Sequence, residues 1–522
     1  MAGIMNKLRV SVILPDNMVP AWISYMMDAI KRSTHAEISA LAFADQPNGR
    51  TTNKQYELQF NLDKKLFNPE PDPWELSDIR KVLYNTQVLG VNLYERISRL
   101  KSMRIDHILN LSLEELPKSV LHVARFGAWS LRCNDVRVTA GSEIGWLEIL
   151  NNVPTMRCDI EIQREETLQV FPASVIATNP SSISLNQTSF FWRASEAIPR
   201  ALRRLHTQGE QKFFAQTKPA SPAEKAGMPT GAQSTALAQK QALQISESKI
   251  LRRNTSQPWA LIAGKSPEGE SPHWGSLNLK VPPRGVFWSN PFLLKKQDTP
   301  YLFFEEYVLK HQRGRIAYAM IDDEGKIGEP QVALERPYHL SYPYIFEYRG
   351  EFYMIPETAE NRAVEAYRCM RFPDQWEFHK TIMPNVLAAN ATLIEYSMRW
   401  WMFVSLAGKG SSTPDELHLF YSDDPLTTNW TPHPMNPILS DVRSAQTAGC
   451  LFRREGGLIR PSRDPSLRHA PAVNLNSITK LSIYEHEEEP LERIEPPSEN
   501  ILGMQTYNNS SDFVVLDALL KK

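Results

Sequence analysis

Three phrases decide the fold: Asn290-Pro-Phe-Leu-Leu with Tyr301-Leu-Phe-Phe-Glu, Tyr342-Pro-Tyr-Ile-Phe with Phe352-Tyr-Met-Ile-Pro-Glu, and Asn390-Ala-Thr-Leu-Ile with Trp400-Trp-Met-Phe-Val. Each is an apolar strand, a short polar turn and a second, aromatic strand. Asn290 and Tyr342 lie 52 residues apart, and Tyr342 and Asn390 lie 48 apart. A period of this length built only of strands predicts a β-propeller, because one such sheet cannot bury its faces alone and stacks on its neighbours. The starts of the innermost strands then face one central funnel, and the side chains there set the chemistry.

Working outward, further strands follow at Glu416-Leu-His-Leu-Phe-Tyr-Ser, Ala448-Gly-Cys-Leu-Phe, Gly503-Met-Gln-Thr-Tyr and Phe513-Val-Val-Leu-Asp. Inner strands are expected to start near Asn290, Tyr342, Asn390, Gln446 and Gln505, which makes five blades. Trp259-Ala-Leu-Ile is expected to supply an outer strand that helps close the ring. A β-sandwich is the alternative, disfavoured by the long regular period.

The chain has 522 residues, too many for one core. The first part, 1–206, mixes helix and strand. Leu8–Leu14 reads as a strand and Val19–Arg32 as a helix, with apolar residues at Trp22, Ile23, Met26 and Ile30. Ser77–Lys101 reads as a second helix capped by Ser77, Asp106–Ser112 as a strand, and Leu113–Leu121 as a short helical run. This order predicts an α/β layer with a mainly parallel sheet. Residues 207–257 include a Pro/Gly-rich stretch from Lys218 and read as a flexible linker, with a weak helix over Thr235–Lys249. The propeller occupies 258–522.

Lys and Arg number 58 and Asp and Glu 59, for a net charge of −1. That balance gives no electrostatic case for nucleic acid or an anionic membrane. Cys133, Cys158, Cys369 and Cys450 have no metal-site spacing and read as reduced thiols. His311, His339, His418 and His469 do not form a spaced metal set. No transmembrane segment, signal peptide, metal or cofactor is expected, and a cytoplasmic location follows from those readings.

Arg336-Pro-Tyr-His-Leu-Ser-Tyr-Pro, Met354-Ile-Pro-Glu-Thr, Arg371-Phe-Pro-Asp-Gln-Trp, Asn436-Pro-Ile-Leu-Ser-Asp-Val-Arg-Ser and Leu458-Ile-Arg-Pro together resemble one module. It is the propeller at the N-terminus of plant glucosamine inositolphosphorylceramide transferases, found also in bacterial polysaccharide-associated proteins. Its fold is similar to the five-bladed propellers of arabinanases, levansucrases and invertases. The first part resembles the formyltransferase-like, Rossmann-like domain that precedes such propellers in bacteria. Asp106-His-Ile-Leu-Asn-Leu-Ser, Phe126-Gly-Ala-Trp-Ser-Leu, Gly145-Trp-Leu-Glu-Ile-Leu and Ser184-Leu-Asn carry that likeness. The Asn-x-His pair of true formyltransferases is absent from the expected place, so the resemblance implies the domain shape and leaves formyl transfer in doubt.

The resemblance also implies which positions face the funnel. Related modules place Asp, Arg and His where this chain reads Ser289-Asn-Pro, Asn390-Ala-Thr, Gln446-Thr-Ala-Gly and Gln505-Thr-Tyr-Asn. Neutral amides bind hydroxyls but cannot serve as carboxylate nucleophile or base. The plain alternative is that they satisfy turn backbones.

Glycosidase chemistry needs two carboxylates across the bond. Glu357 is the leading candidate acid, with Glu306 or Asp464 as partner; Glu305 and Asp441 also remain. A hydrogen-bonding role for Glu357 toward Arg336, Arg362 or a turn is the alternative. Trp288, Asn290, Tyr342, Asn390, Arg443, Gln446 and Gln505 are the expected substrate-binding residues, with Trp400 a further funnel aromatic. Phe303, Tyr353, Trp401 and Phe403 are expected in the core. In the first part, His122 and Asp135 mark a second possible pocket.

The reading favoured is recognition of a glycan, sugar-lipid or sugar nucleotide in envelope polysaccharide or glycolipid biosynthesis. A glycosyl-transferring or hydrolysing propeller is the alternative, as is formyl or acyl transfer to an amino sugar by the first domain. The sequence leaves the oligomeric state open.

Overall fold

The computed structural model describes residues 6–44, 53–90, 93–112, 114–139, 142–225, 227–253, 259–266, 274–411, 413–467, 472–510 and 512–521. The chain divides into a first unit, Met1–Lys249 with Lys409–Ser411, and a second made of Ile250–Gly408 with Ser412–Lys522.

In the first unit five parallel strands run in the spatial order Gln87–Val88, Ala36–Phe43, Leu8–Leu14, His107–Asn110, Ala128–Cys133. Thr155–Gln163 and Leu168–Ala177 then extend the sheet antiparallel, so only part of it is parallel. The Ala21–Arg32 helix buries Trp22, Ile23, Met26, Met27 and Ile30 against it, as the apolar spacing predicts. The Ile183–Phe214 helix adds Phe190, Phe191, Ala194 and Ile198 to the same core.

Three expectations differ. Ser77–Lys101 is not one helix: Leu76–Asp78 is a strand, Ile79–Lys81 a 3-10 turn, Gln87–Val88 a strand, and Leu93–Ser102 the helix. Ser77 pairs with Val19, and it is Asp78 that caps, accepting from the Arg80 N–H. Likewise, residues 207–249 are built into the first unit and are no free linker. Lys218–Pro219 pairs with the Leu168–Ala177 strand, Glu224–Lys225 pairs with Val136–Arg137, and Arg132 donates to the Ser221 carbonyl at 3.0 Å. Gly231–Arg253 is a helix whose Leu237 is fully buried. The short helix expected over Leu113–Leu121 is confined to Lys118–Leu121 behind Pro117; Leu113 lies outside the described residues.

The second unit is a propeller of five sheets. The first three blades are Val286–Leu334, Ser341–Pro384 and Ala388–Pro432, each of four antiparallel strands. The fourth spans Gln446–Ile494. The fifth joins strands from both ends of the unit: Trp259–Lys265 lies between Leu277–Lys280 and Phe513–Leu520, and Tyr507–Ser510 is innermost. Phe303, Tyr353, Trp401 and Phe403 are buried in and between the blades.

Candidate functional site at one end of the propeller axis

One local device recurs on the inner strands. The register shifts between Ser289 and Phe292, between Ser341 and Tyr344, and between Ala389 and Thr392. Each bulge holds a left-handed residue: Asn290 (φ 51°), Tyr342 (φ 45°) and Asn390 (φ 54°). Asn tolerates this region through its short polar side chain, whereas Tyr does so only under external constraint.

Tyr342 is held by its hydroxyl. The ring is 1 % exposed, its OH lies 2.9 Å from Thr392 Oγ1, and it accepts the Gly449 N–H at 2.9 Å. Tyr342 therefore ties three blades together and offers no stacking face to a ligand. Trp288 is also buried, edge-on to Phe304, with Nε1 donating to Glu306 Oε2 at 3.2 Å. Trp400 packs against Phe346 and Tyr348.

The residue before each left-handed position pairs with the second strand of its blade. Ser289 faces Glu305, Ser341 faces Glu357 and Ala389 faces Ser405; in the fourth blade, where the left-handed residue is Gly449, Thr447 faces Ser462. In the fifth, the Thr506 N–H donates to Asp517. Three of these five equivalent positions thus carry carboxylates.

Two of the three are closed. Glu305 Oε2 accepts from Ser289 Oγ, Asn290 Nδ2 and Ser341 Oγ, each at 2.9 Å, and the side chain is 10 % exposed. Asp517 is fully buried and accepts the backbone N–H groups of Gln505, Thr506 and Asn290 at 2.8, 3.0 and 2.9 Å. Burial raises its carboxyl above the ordinary value against those three donors.

Glu357 is the open one, partly exposed at the same level. Burial raises its carboxyl above the ordinary value; Arg463, His339 and the Asn390 N–H pull it down, and Glu305 adds to the rise. His339 accepts the Gly314 N–H at Nδ1 (2.9 Å), so its neutral ring carries the proton on Nε2, 3.5 Å from Glu305 Oε1. Arg463 is fixed by the amides: Nε donates to Gln446 Oε1 and Nη1 to Gln505 Oε1, each at 2.9 Å. Its Nη2 makes no hydrogen bond among the described residues.

The structure sorts the sequence-derived candidates accordingly. Asn290 and Asn390 are buried; Asn290 also accepts from Thr506 Oγ1 at 2.9 Å, and Asn390 donates to the Thr447 carbonyl at 2.6 Å. Gln446 donates to the Pro414 carbonyl and, with Gln505, positions Arg463. Glu306 lies on the opposite face of its strand from Glu305 and is paired with Arg315 at 2.6 Å. Asp464 closes its own turn onto Ser466, and Arg443 pairs with Asp441 at 2.6 Å. Neither Glu306 nor Asp464 is brought to Glu357. Residues the candidate set omitted are Arg463, His339, Glu305 and Asp517. Only the Arg336-Pro-Tyr-His phrase and the adjacent acids Glu305-Glu306 hinted at two of them.

In the first unit His122 pairs with Glu165, and Asp135 is 78 % exposed beside Arg132 and Arg157. A cavity of about 670 Å³ is lined by Lys7, Arg9, Glu37, Asp106 and Arg125, and neither His122 nor Asp135 contributes to it. Among the described residues no group of three or more His, Cys, Asp or Glu is arranged to hold a metal ion; His469 lies outside them. No helix among those residues is long and apolar enough to cross a membrane.

Fold and site together define a five-bladed propeller with one open carboxylate and one open guanidinium at the end of its axis. Residues 279–507 match the family model of the N-terminal part of glucosamine inositolphosphorylceramide transferase 1. The chain is 35 % identical over 242 residues to the protein of that name from Oryza sativa subsp. japonica, covering 44 % of this chain and 32 % of that one. It is 35 % identical over 206 residues to the Arabidopsis thaliana protein, covering 39 % and 27 %. The match thus spans about a third of the length of these relatives. Among solved structures, Zg3597, a family 117 glycoside hydrolase of Zobellia galactanivorans, aligns at 12 % identity and TM-score 0.34, over 51 % of this chain and 92 % of that one. An α-L-arabinofuranosidase from Lactobacillus brevis aligns at 13 % and TM-score 0.34, over 44 % and 81 %. The propeller assignment rests on its own five sheets.

Proposed function

We propose that the propeller recognises a carbohydrate, presented as a glycan or on a lipid, at the Glu357–Arg463 end of its axis. One observation carries this reading. Of three equivalent carboxylates, two are closed by three donors each, while Glu357 stays open near Arg463 and His339. An acceptor beside charged and neutral N–H donors complements neighbouring sugar hydroxyls, each of which donates and accepts. The printed name of the relatives, a glucosamine inositolphosphorylceramide transferase, supports a sugar-bearing lipid over a free sugar nucleotide and a role in glycolipid or envelope polysaccharide biosynthesis.

Glycosyl transfer or hydrolysis is the second reading, because a carboxyl held above its ordinary value suits a proton donor. It needs a second free carboxylate, and Glu305 is already held by three donors on Oε2, so recognition is favoured. For the first unit we propose a Rossmann-like, formyltransferase-like ancestry in a cytoplasmic protein. Supporting it, the parallel strands in chain order sit as 3-2-1-4-5.

Binding of the full chain to a glycan array and to vesicles displaying glycosylated inositol phospholipids tests the proposal. Glu357→Gln and Arg463→Lys should each weaken a bound sugar at least tenfold. Undiminished binding in both variants sinks the assignment of the site, and a cleaved or transferred sugar would establish the second reading.

A further inference from the structure

Cys133 and Cys158 lie 25 positions apart in the sequence and directly opposite each other on two antiparallel strands of the first unit, Ala128–Cys133 and Thr155–Gln163. Both are free thiols. The ladder decides what kind of pair they make. In the next pair along, the Asn134 N–H donates to the Arg157 carbonyl at 3.0 Å. Hydrogen-bonded and non-hydrogen-bonded pairs alternate along an antiparallel ladder, so Cys133 and Cys158 form a non-hydrogen-bonded pair. Opposed Cα atoms in such a pair stand about 4.5 Å apart, within the roughly 4.4–6.8 Å that a disulfide spans, and their side chains leave the same face of the sheet.

That face is the core. Both residues are buried in one cluster with Leu131, Met156 and Ile160. Cys133 Sγ donates to Glu148 Oε1 at 3.8 Å, and the same oxygen accepts from Asn134 Nδ2 at 2.7 Å. Burial pushes both thiols up, and at Cys133 the Glu148 carboxylate and the Cys158 sulfur add to the rise. The thiolate is the attacking species in disulfide chemistry, so the closed fold makes the pair slow to react while holding its side chains together. Cys133 is the last residue of its strand, and opening of that strand end admits a reagent.

We infer that Cys133 and Cys158 are a redox pair that closes into a cross-strand disulfide when the chain meets a small-molecule disulfide such as oxidised glutathione. Cys133 gives its proton to solvent and attacks one sulfur of the reagent. The reagent's S–S bond breaks, a mixed disulfide forms on Cys133, and one thiolate leaves. Cys158 then gives up its proton and attacks Cys133 Sγ, expelling the second thiolate. The two departing thiolates take up two protons, so two protein thiols are oxidised and one reagent disulfide is reduced. Glu148 loses the thiol as a donor and keeps Asn134. In reducing surroundings the pair rests as the dithiol.

The link falls at the seam of the sheet. Ala128–Cys133 pairs parallel with His107–Asn110 on one side and antiparallel with Thr155–Gln163 on the other. The loop it closes carries the Val136–Val138 strand and the Trp146–Asn151 helix. Oxidation therefore fastens the antiparallel extension to the parallel strands.

Equilibration of the full chain with mixtures of reduced and oxidised glutathione tests this, in native buffer and in denaturing urea, with free thiols then alkylated and linked peptides mapped. Starting from both the reduced and the oxidised chain removes the delay that burial imposes. The equilibrium constant for the Cys133–Cys158 link should be at least tenfold larger in the folded chain than in urea, because the native register holds the pair together. A link that folding leaves no more favourable overturns the inference, as does a preferred link from either residue to Cys369 or Cys450.

Discussion

Glu305 and Glu357 stand at the same position of adjacent blades, each opposite the serine that precedes a left-handed residue, and only Glu357 is left open. Chemically equal groups are thereby separated by their donors alone, one tied into the blade and one left able to accept further hydrogen bonds.

Exchanging each for its amide should separate the two roles. Glu305→Gln removes acceptor capacity from a buried cluster and should cost about 1–3 kcal/mol in chemical denaturation. Glu357→Gln should stay within about 0.5 kcal/mol of wild type at neutral pH while weakening sugar binding at least tenfold.

Binding should also follow the ionisation of Glu357. Protonation takes away part of its acceptor capacity and its negative charge beside Arg463, so affinity should fall as pH drops through that raised value. Titration calorimetry across the acid range should show this in the wild type and not in Glu357→Gln.

Tyr342→Phe should leave the Gly449 N–H buried and unpaired where three blades meet. A loss of about 1–3 kcal/mol in the denaturation of the propeller is expected. Gly449→Ala should be worse still, because a Cβ there would come within 2.0 Å of the Tyr507 carbonyl oxygen at a φ of +135°.

In the first unit burial lifts Asp159 from 3.8 to about 6, against the pull of Arg157 at 3.4 Å. The folded state holds this proton more tightly than the unfolded chain. The contribution of this one group to stability is therefore greatest below pH ~4 and falls as pH rises through ~6, by at most ~3 kcal/mol for the shift. Asp159→Asn should flatten that fall in thermal melts recorded across this window.

The period was legible because it is written in packing residues: Phe303, Met354 and Phe403 are buried wherever a blade needs them. The site was legible only in part. Position along an inner strand suggested that Asn290 and Asn390 face a ligand, but a left-handed bulge turns each into the protein. Strict alternation separates Glu305 from Glu306 without saying which points at the axis; the pairing of Ser289 with Glu305 decides that. Arg463 gave no signal because its partners, Gln446 and Gln505, lie 17 and 42 residues away. The stretch from Lys218 was misread because composition measures apolar side chains, and this segment is held by its backbone, through strand pairing and the Arg132 bond to Ser221.

The fifth blade sets an order of events during synthesis. Trp259–Lys265 is made first among its partners, yet the Phe513–Leu520 strand that pairs along it comes some 250 residues later in the sequence. Until then Trp259–Lys265 has an unpaired edge, and the Asn290 N–H lacks Asp517. The ring therefore cannot lock while the ribosome is still adding blades. A stall or premature stop anywhere between Leu277 and Phe513 leaves a half-built circle with exposed strand edges, a natural substrate for chaperones and proteases.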